Sequence, residues 1–242
     1  MEDRNSDENG WASAAQSWIK IMDSSDHFVR QHVIDPLIDE RFRALAPKTV
    51  LDVGCGEGRY CRMLRDLGGD VTGLDPVDAL VDAARERDPS GSYVAGFSES
   101  LPFDDNSFDL VLCAMVLGTV NDLSAAIAQM ARVVKSGGHI LFVDRTSFAT
   151  ASHAANTPKC QDTGRNLNVV SNYLKPRQYD FQWGELQTRN WHRPLSHYMQ
   201  AFLATGLTLK RFDEPRPKTG PTDAFWNYMN LPSIMTMEWR KH

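Results

Sequence analysis

Gly54, Gly56 and Gly58 follow directly on a short apolar run (Val50, Leu51, Val53) in the segment TVLDVGCGEGRY, residues 49–60, and a helical pattern starts at Arg59. A strand, a glycine turn and a helix in that order bring bare backbone N–H groups up to a nucleotide-like ligand. Asp75 stands at the end of the next β-favouring run, 21 residues after Gly54. A carboxylate there can accept two hydrogen bonds from ribose hydroxyls. The same residue, followed by Pro76, also suits the start of a helix, and both roles can hold at once. The spacing by itself fits NAD as well as other adenosine-containing ligands. For proton transfer the candidates are His27, His32, His153, His192 and His197. No Ser-His-Asp order and no metal-ligand spacing accompanies them, so no metal is expected.

These groups need a scaffold, and its elements are legible as alternating patterns. Strands are expected at 50–53, 70–74, 92–95, 109–113 and 139–144, with helices at 59–67, 77–87 and 123–134. Continuous apolar strands such as DLVLCAMV alternating with helices indicate a parallel sheet covered on both faces. Before the first strand, Trp11, Ala14, Ala15 and Trp18 share one helical face. Phe28, Val33, Ile34, Leu37 and Ile38 form a second stripe, in which Pro36 marks a break or a new helix. Residues 1–10 are polar and expected to fray. The segment 146–190 breaks the rhythm; it is polar and aromatic-rich, with a hairpin expected around 181–185 and Gly184 near its turn. A helix at 196–205, a strand at 207–212, a Pro-rich loop and a last strand at 234–239 complete the chain.

Composition narrows the class. The chain has 242 residues, 42% of them hydrophobic and 24% charged, with a net charge of -5. That size fits one domain, 1–242, with a helical N-terminal cap (11–46), a ligand-binding core (49–145), a cap insertion (146–192) and a C-terminal part of the core (193–242). The acidic balance and the lack of a basic stripe argue against a nucleic-acid partner. The longest apolar run, 110–120, is too short to span a bilayer, so no membrane partner is expected. Cys55, Cys61, Cys113 and Cys160 form no C-x-x-C pair, which disfavours a disulfide framework or a zinc site. With an acidic, polar start unlike a signal peptide, a cytoplasmic location is the expectation.

The motifs VLDVGCGEGRY, VTGLDP, SLPFDDNSFDLVLC and VVKSGGHILFVD, in that order, resemble those of class I S-adenosylmethionine-dependent methyltransferases. The resemblance is closest to the broad bacterial small-molecule group (type-11-like) and covers residues 50–144 well. It implies a Rossmann-like seven-stranded α/β sheet, mostly parallel with an antiparallel last strand. Helices would cover both faces, and a helical and aromatic cap would sit above. The cofactor implied is S-adenosylmethionine, leaving S-adenosylhomocysteine as product. Asp52, the acidic residue inside the first motif, is a feature of this family rather than of NAD folds and joins the cofactor set. Gly54, Cys55 and Gly56 would lie against the methionine part, Asp75 on the ribose and Pro76 on the adenine. The turn with Phe97, Ser98 and Glu99 would hold the adenine edge. Cys113, Ala114 and Met115 would sit near the sulfonium, Met115 toward the acceptor. Arg30 would face the cofactor carboxylate. Two departures stand out: Phe97 where relatives carry Asp, and Gly118 where they often carry His.

The chemistry implied is in-line displacement of an activated methyl group, which needs positioning and dryness more than a catalytic dyad. His192, in an H-R-x-L motif shared with relatives, is the candidate base; the alternative is that the motif fixes the strand-to-helix turn and catalysis is by proximity only. An aromatic roof (Trp11, Trp18, Phe28, Tyr173, Tyr179, Phe181, Trp183, Trp191, with Phe225 and Trp226 joining) suits a small planar acceptor methylated on N or O. Within it Trp11, Trp18, Tyr173, Trp183 and Trp191 are the substrate-contact candidates. Bacterial relatives include enzymes of secondary metabolism, as in antibiotic or toxin biosynthesis. The alternatives are a protein or RNA methyltransferase, and a non-catalytic protein that keeps the fold and binds ligand only. A monomer or homodimer is expected.

Overall fold

The computed structural model describes residues 9–24, 27–153, 158–165, 167–219 and 226–242. The chain start, 1–8, and Phe225 lie outside them, as do the side chains of His153 and Trp226. Helix α1 spans Trp11–Asp23 and buries Ala14, Ala15 and Met22, the face its 3.6-residue period marks. A second helix runs on from Phe28; its Arg30–Ile34 part is a π-turn, and α2 covers Asp35–Leu45. Pro36 has no N–H to give the His32 carbonyl, which accepts instead from the Lys218 backbone N–H at 2.9 Å. The proline therefore widens the helix rather than ending it.

The core alternates as its pattern requires: β1 (Thr49–Val53), α3 (Arg59–Asp66), β2 (Asp70–Asp75), α4 (Asp78–Arg87), β3 (Ser92–Ala95), β4 (Phe108–Ala114), α5 (Leu123–Val133) and β5 (Val134–Arg145). A cap follows, made of α6 (Ser147–Ala151), the short pair β6 (Ser152–His153) and β7 (Val169–Val170), and a hairpin of β8 (Arg177–Trp183) and β9 (Leu186–His192). The hairpin turns at Gly184, whose φ is 59°. Then come α7 (Leu195–Leu203), β10 (Thr208–Asp213), α8 (Trp226–Asn230) and β11 (Ile234–Arg240).

The seven-stranded sheet has the order β10-β11-β5-β4-β1-β2-β3. Strand β11 runs antiparallel to both neighbours and the other pairs are parallel. This is the Rossmann-like arrangement with one reversed strand. The K-S-G-G segment, 135–138, bulges out of β5, because the β4 register jumps from Phe108↔Val134 to Leu110↔His139. Alternate side chains feed two apolar layers. Leu51, Val53, Val111 and Phe142 meet α5 and α7 on one face. Val50, Leu110, Leu112 and Leu141 meet α2, α3 and α4 on the other. Burying both faces leaves the strand ends as the open edge of the molecule, and the glycine loop sits there.

Candidate functional site

A cavity of about 340 Å³ lies where the chain leaves β1, β2, β3 and β4. Its roof is α1, through Trp11, Ala12, Trp18 and Met22. The floor begins with Gly54, at φ 73°, where a Cβ would come within 2.3 Å of Val116 Cγ2. The backbone N–H groups of Gly54 and Cys55 donate to the Leu74 carbonyl at 2.7 and 3.0 Å, locking the loop to the end of β2. Gly56 has φ 56°, and its N–H donates to Asp75 Oδ2 at 2.9 Å.

Asp75 Oδ1 accepts the Val77 N–H at 3.0 Å at the start of α4. The carboxylate thus organises both the glycine loop and the helix start, while still lining the cavity. Burial pushes its pKa up to about 6, although the N–H groups of Val77 and Gly56 favour the charged form. Glu57, also buried, is held by Arg62 Nη2 at 2.6 Å and Arg87 Nη1 at 2.5 Å. Arg87 reaches on to Asp23, the last residue of α1, at 2.7 Å.

The π-turn brings Arg30 into the cavity wall. Its Nη1 donates to the Tyr60 hydroxyl at 3.0 Å, and its guanidinium lies 4.9 Å from the Trp18 ring centroid. Among the described residues no carboxylate pairs with Arg30, whereas Arg59 pairs with Asp35, and Arg62 and Arg87 with Glu57. Pro76, Phe97, Ser98, Glu99, Ala114 and Met115 complete the expected lining. Phe97 is 42% exposed, and Ser98 Oγ donates to Glu99 Oε2 at 2.8 Å. Met115 adopts φ 65°, a left-handed conformation unusual for its type, with its N–H on the Val143 carbonyl at 2.7 Å.

Several expected residues stand elsewhere. Asp52 is buried behind the glycine loop, where burial pushes its pKa up to about 7; the Cys61 thiol donates to it at 3.4 Å and opposes that rise. Cys113 is fully buried in the sheet beneath the cavity. His192 is 0% exposed. Its Nε2 donates to the Tyr173 carbonyl at 2.8 Å, so Nδ1 accepts from Thr150 Oγ1 at 2.8 Å. Neither nitrogen is left for a ligand. Of the remaining histidines, His27 and His32 stand outside the cavity lining, His32 Nδ1 sits 2.7 Å from Thr219 Oγ1, and His197 is exposed on α7.

Of the described aromatic residues, Trp11 and Trp18 line the cavity together with Tyr60 and Phe97. Trp183 packs edge-on against Trp18 at 6.4 Å and against His27 at 6.0 Å. Tyr179 accepts from Arg145 at 3.3 Å, the Arg145 guanidinium sits 5.6 Å from the Phe181 ring, and Phe28 packs on His32 and Tyr228. Tyr173 backs His192 edge-on, and Trp191 Nε1 donates to Asn121 Oδ1 at 3.0 Å. The cause is layering: the hairpin spends its rings on its neighbours, Trp183 on α1, Trp191 on the loop after β4, and Tyr179 and Phe181 on Arg145 at the end of β5. Gly118 belongs to this joint. Its carbonyl accepts the Trp191 N–H at 2.6 Å and its N–H donates to Asp144 at 3.0 Å.

Glu57, Arg59 and Tyr60 in the wall were overlooked as site residues although they continue the glycine motif directly. Asn9, Thr119 and Asn121 also line it, without any local signal in the sequence. Arg193 works from behind, donating to the carbonyls of Leu117 (2.8 Å), Val120 (2.5 Å) and Asn121 (3.1 Å) and so shaping the loop after β4.

The cavity suits S-adenosylmethionine. Arg30 is a cation without a carboxylate partner among the described residues, Asp75 offers carboxylate oxygens beside the glycine loop, and Phe97 and Pro76 offer surfaces to a purine.

Comparison with known proteins agrees with this fit. Residues 51–142 match the family model described as a methyltransferase domain. Malonyl-[acyl-carrier protein] O-methyltransferase of Serratia marcescens is 40% identical over 93 residues, 38% of this chain and 36% of that protein. Demethylmenaquinone methyltransferase of Renibacterium salmoninarum is 35% identical over 108 residues, 45% of this chain and 46% of that protein. The chain therefore matches less than half the length of these curated relatives. Among solved structures, an S-adenosylmethionine-dependent methyltransferase from Mesorhizobium loti superposes with a TM-score of 0.71 at 22% identity, covering 84% of this chain and 97% of the other. One from Listeria monocytogenes gives 0.69 at 20% identity, covering 84% and 99%. Residues 51–142 thus match a methyltransferase-domain model, and the sheet shares the fold of solved S-adenosylmethionine-dependent methyltransferases.

Proposed function

We propose that this protein binds S-adenosylmethionine in the cavity beneath α1 and transfers its methyl group to N or O of a small, planar acceptor. The observation that carries this reading is the pairing of Arg30, a cation without a carboxylate partner among the described residues, with the buried Asp75 across one glycine-floored cavity. When bound, the cofactor supplies a methyl group already activated on sulfur. Arg30 holds the anionic end by a charge-assisted contact, and Asp75 accepts the ribose hydroxyls. Phe97 takes the purine by stacking in place of the acidic residue of relatives. Trp11 and Trp18 close the site and keep water out.

The loop after β4 contributes Met115, Val116, Thr119 and Asn121 to the lining and no titratable side chain. No histidine lines the cavity among the described residues, which supports orientation over histidine general-base catalysis. That favours an acceptor whose lone pair is available without deprotonation. The two curated relatives are named for different acceptors, and the family match ends at residue 142, before the cap. The acceptor is therefore chosen by parts of this chain that the match leaves out. The net charge of -5 supports a small molecule over RNA.

Calorimetric titration with S-adenosylhomocysteine and with NAD tests the reading. Micromolar binding of the first and none of the second is expected. Arg30→Ala should weaken binding by about ten-fold or more, the loss of a charge-assisted contact. Binding of NAD alone would overturn the proposal.

A further inference from the structure

The methyl transfer proposed above uses none of three buried polar side chains at or beside the cavity: Asp52, Cys55 and Cys61. Cys55 belongs to the glycine loop and lines the cavity, and Cys61 sits on the first turn of α3. They meet over Gly73 of β2, where a Cβ would lie 2.7 Å from Cys61 Sγ and 2.8 Å from Cys55 Sγ. The glycine is what makes room for the sulfur pair. On its far side the Cys61 thiol donates to Asp52 Oδ2 at 3.4 Å, which supplies a proton acceptor.

We propose that Cys55 and Cys61 are an oxidation site, forming a disulfide on exposure to peroxide and thereby shutting the glycine loop to the cofactor. Peroxide reaches Cys55 through the cavity. The Cys55 sulfur attacks one peroxide oxygen; an S–O bond forms, the O–O bond breaks, and the departing oxygen leaves as water with the thiol proton. The Cys61 sulfur then attacks the sulfenic sulfur; an S–S bond forms, the S–O bond breaks, and a second water leaves with the Cys61 proton, passed through Asp52. Two thiols are oxidised to one disulfide, and one peroxide is reduced to two waters. Cys61 is raised well above the usual thiol range by the neighbouring Cys55 thiol, by burial and by Asp52. At Cys55 the neighbouring Cys61 thiol lowers the pKa, but burial and the charges of Asp75 and Asp52 outweigh it. The pair therefore reacts more slowly than an exposed thiolate and responds to sustained oxidant.

Disulfide geometry brings the sulfurs to about 2.05 Å and the Cβ atoms to about 3.8 Å. Cys55 must then shift toward α3, pulling on Gly54 and Gly56, whose N–H groups hold the loop to Leu74 and Asp75. The effect on the cofactor rests on the reading above, whereas the disulfide itself does not.

Full-length protein is treated with hydrogen peroxide, alkylated and digested with trypsin. Cleavage after Lys48, Arg59 and Arg62 puts Cys55 on peptide 49–59 and Cys61 on peptide 60–62. The expected product is those two peptides linked, two hydrogens lighter than the reduced pair and separated by dithiothreitol. Affinity of the oxidised protein for S-adenosylhomocysteine should fall about ten-fold or more, return on reduction, and be insensitive to peroxide in Cys61→Ser. Oxidation confined to Cys160, or linked peptides with unchanged affinity, overturns the proposal. A reduced protein that binds no S-adenosylhomocysteine sinks the cofactor reading and the gating with it, while the linked peptides still decide the disulfide.

Discussion

Asp75 shows how one side chain does structural and binding work together. Its oxygens hold the Gly56 and Val77 N–H groups, and burial raises its pKa to about 6. Ribose hydroxyls are accepted best by the charged carboxylate. Affinity for S-adenosylhomocysteine should therefore be full above about pH 6 and fall as pH drops through that value. Asp75→Asn should flatten the profile, and an unchanged pH dependence in that variant would count against the assignment. His192 gives the opposite lesson. His192→Ala leaves the half-buried Tyr173 carbonyl without its donor, removes one of the Thr150 hydroxyl's two contacts and empties a fully buried site, at a cost of about 1–3 kcal/mol. A drop of several degrees in melting temperature is expected, with turnover per folded molecule nearly intact; a loss of two decades with no thermal change would restore it as a base.

At the scale of elements, the strand ends carry three buried carboxyls. Asp52, Asp75 and Asp144 are raised by burial to about 7, about 6 and about 6. In the unfolded chain they titrate near 3.8. Between those values the folded state holds more protons than the unfolded state, so their contribution to stability is lost as pH rises from about 4 through 7. Asp109, drawn down to about 2 against its burial by bonds from Lys135, Thr49 and Lys48, acts in the other direction and only below that window. The melting temperature should thus decline from pH 5 to 7.5, and less steeply in Asp52→Asn. The joint between cap and core is a second element-scale device. Arg193 serves three carbonyls of the loop after β4, so Arg193→Ala should destabilise by about 3 kcal/mol, the value of several charge-assisted bonds. Because Thr119, Val120 and Asn121 line the cavity, the same variant should weaken S-adenosylhomocysteine binding, which calorimetry reads directly.

For the whole molecule, α1 is the element that decides access. Its ends are tied by Asn9, whose Nδ2 donates to the Thr119 carbonyl at 2.5 Å, and by the Asp23–Arg87 pair at 2.7 Å. Between them Trp18 rests on Arg30. Asp23 is 64% exposed, so the second tie contributes little and the helix is held mainly by its buried face. A ligand carboxylate on Arg30, against which Trp18 packs, would fasten it further. Amide exchange over 11–23 is expected to slow by about ten-fold or more on adding S-adenosylhomocysteine. Unchanged exchange there would mean that ligand enters without engaging the roof.

What the sequence alone determined was whatever depends on neighbours in the chain or in adjacent strands. The glycine loop, the strand-helix alternation and the position of Asp75 all follow from short periods and from a β1–β2 pairing that a parallel fold makes obligatory. Even the reversed last strand was legible, through the resemblance of whole motifs. Tertiary structure decided which layer each amphipathic element faces. Periodicity marks the side of β8, β9 or α1 that must be buried, but not the partner that buries it. Hence Trp183 of the hairpin packs on α1, His192 is enclosed by Thr150 and Tyr173, and Gly73 clears space for Cys55 and Cys61. These contacts join residues far apart in the chain, and packing fixes them only once every layer is in place.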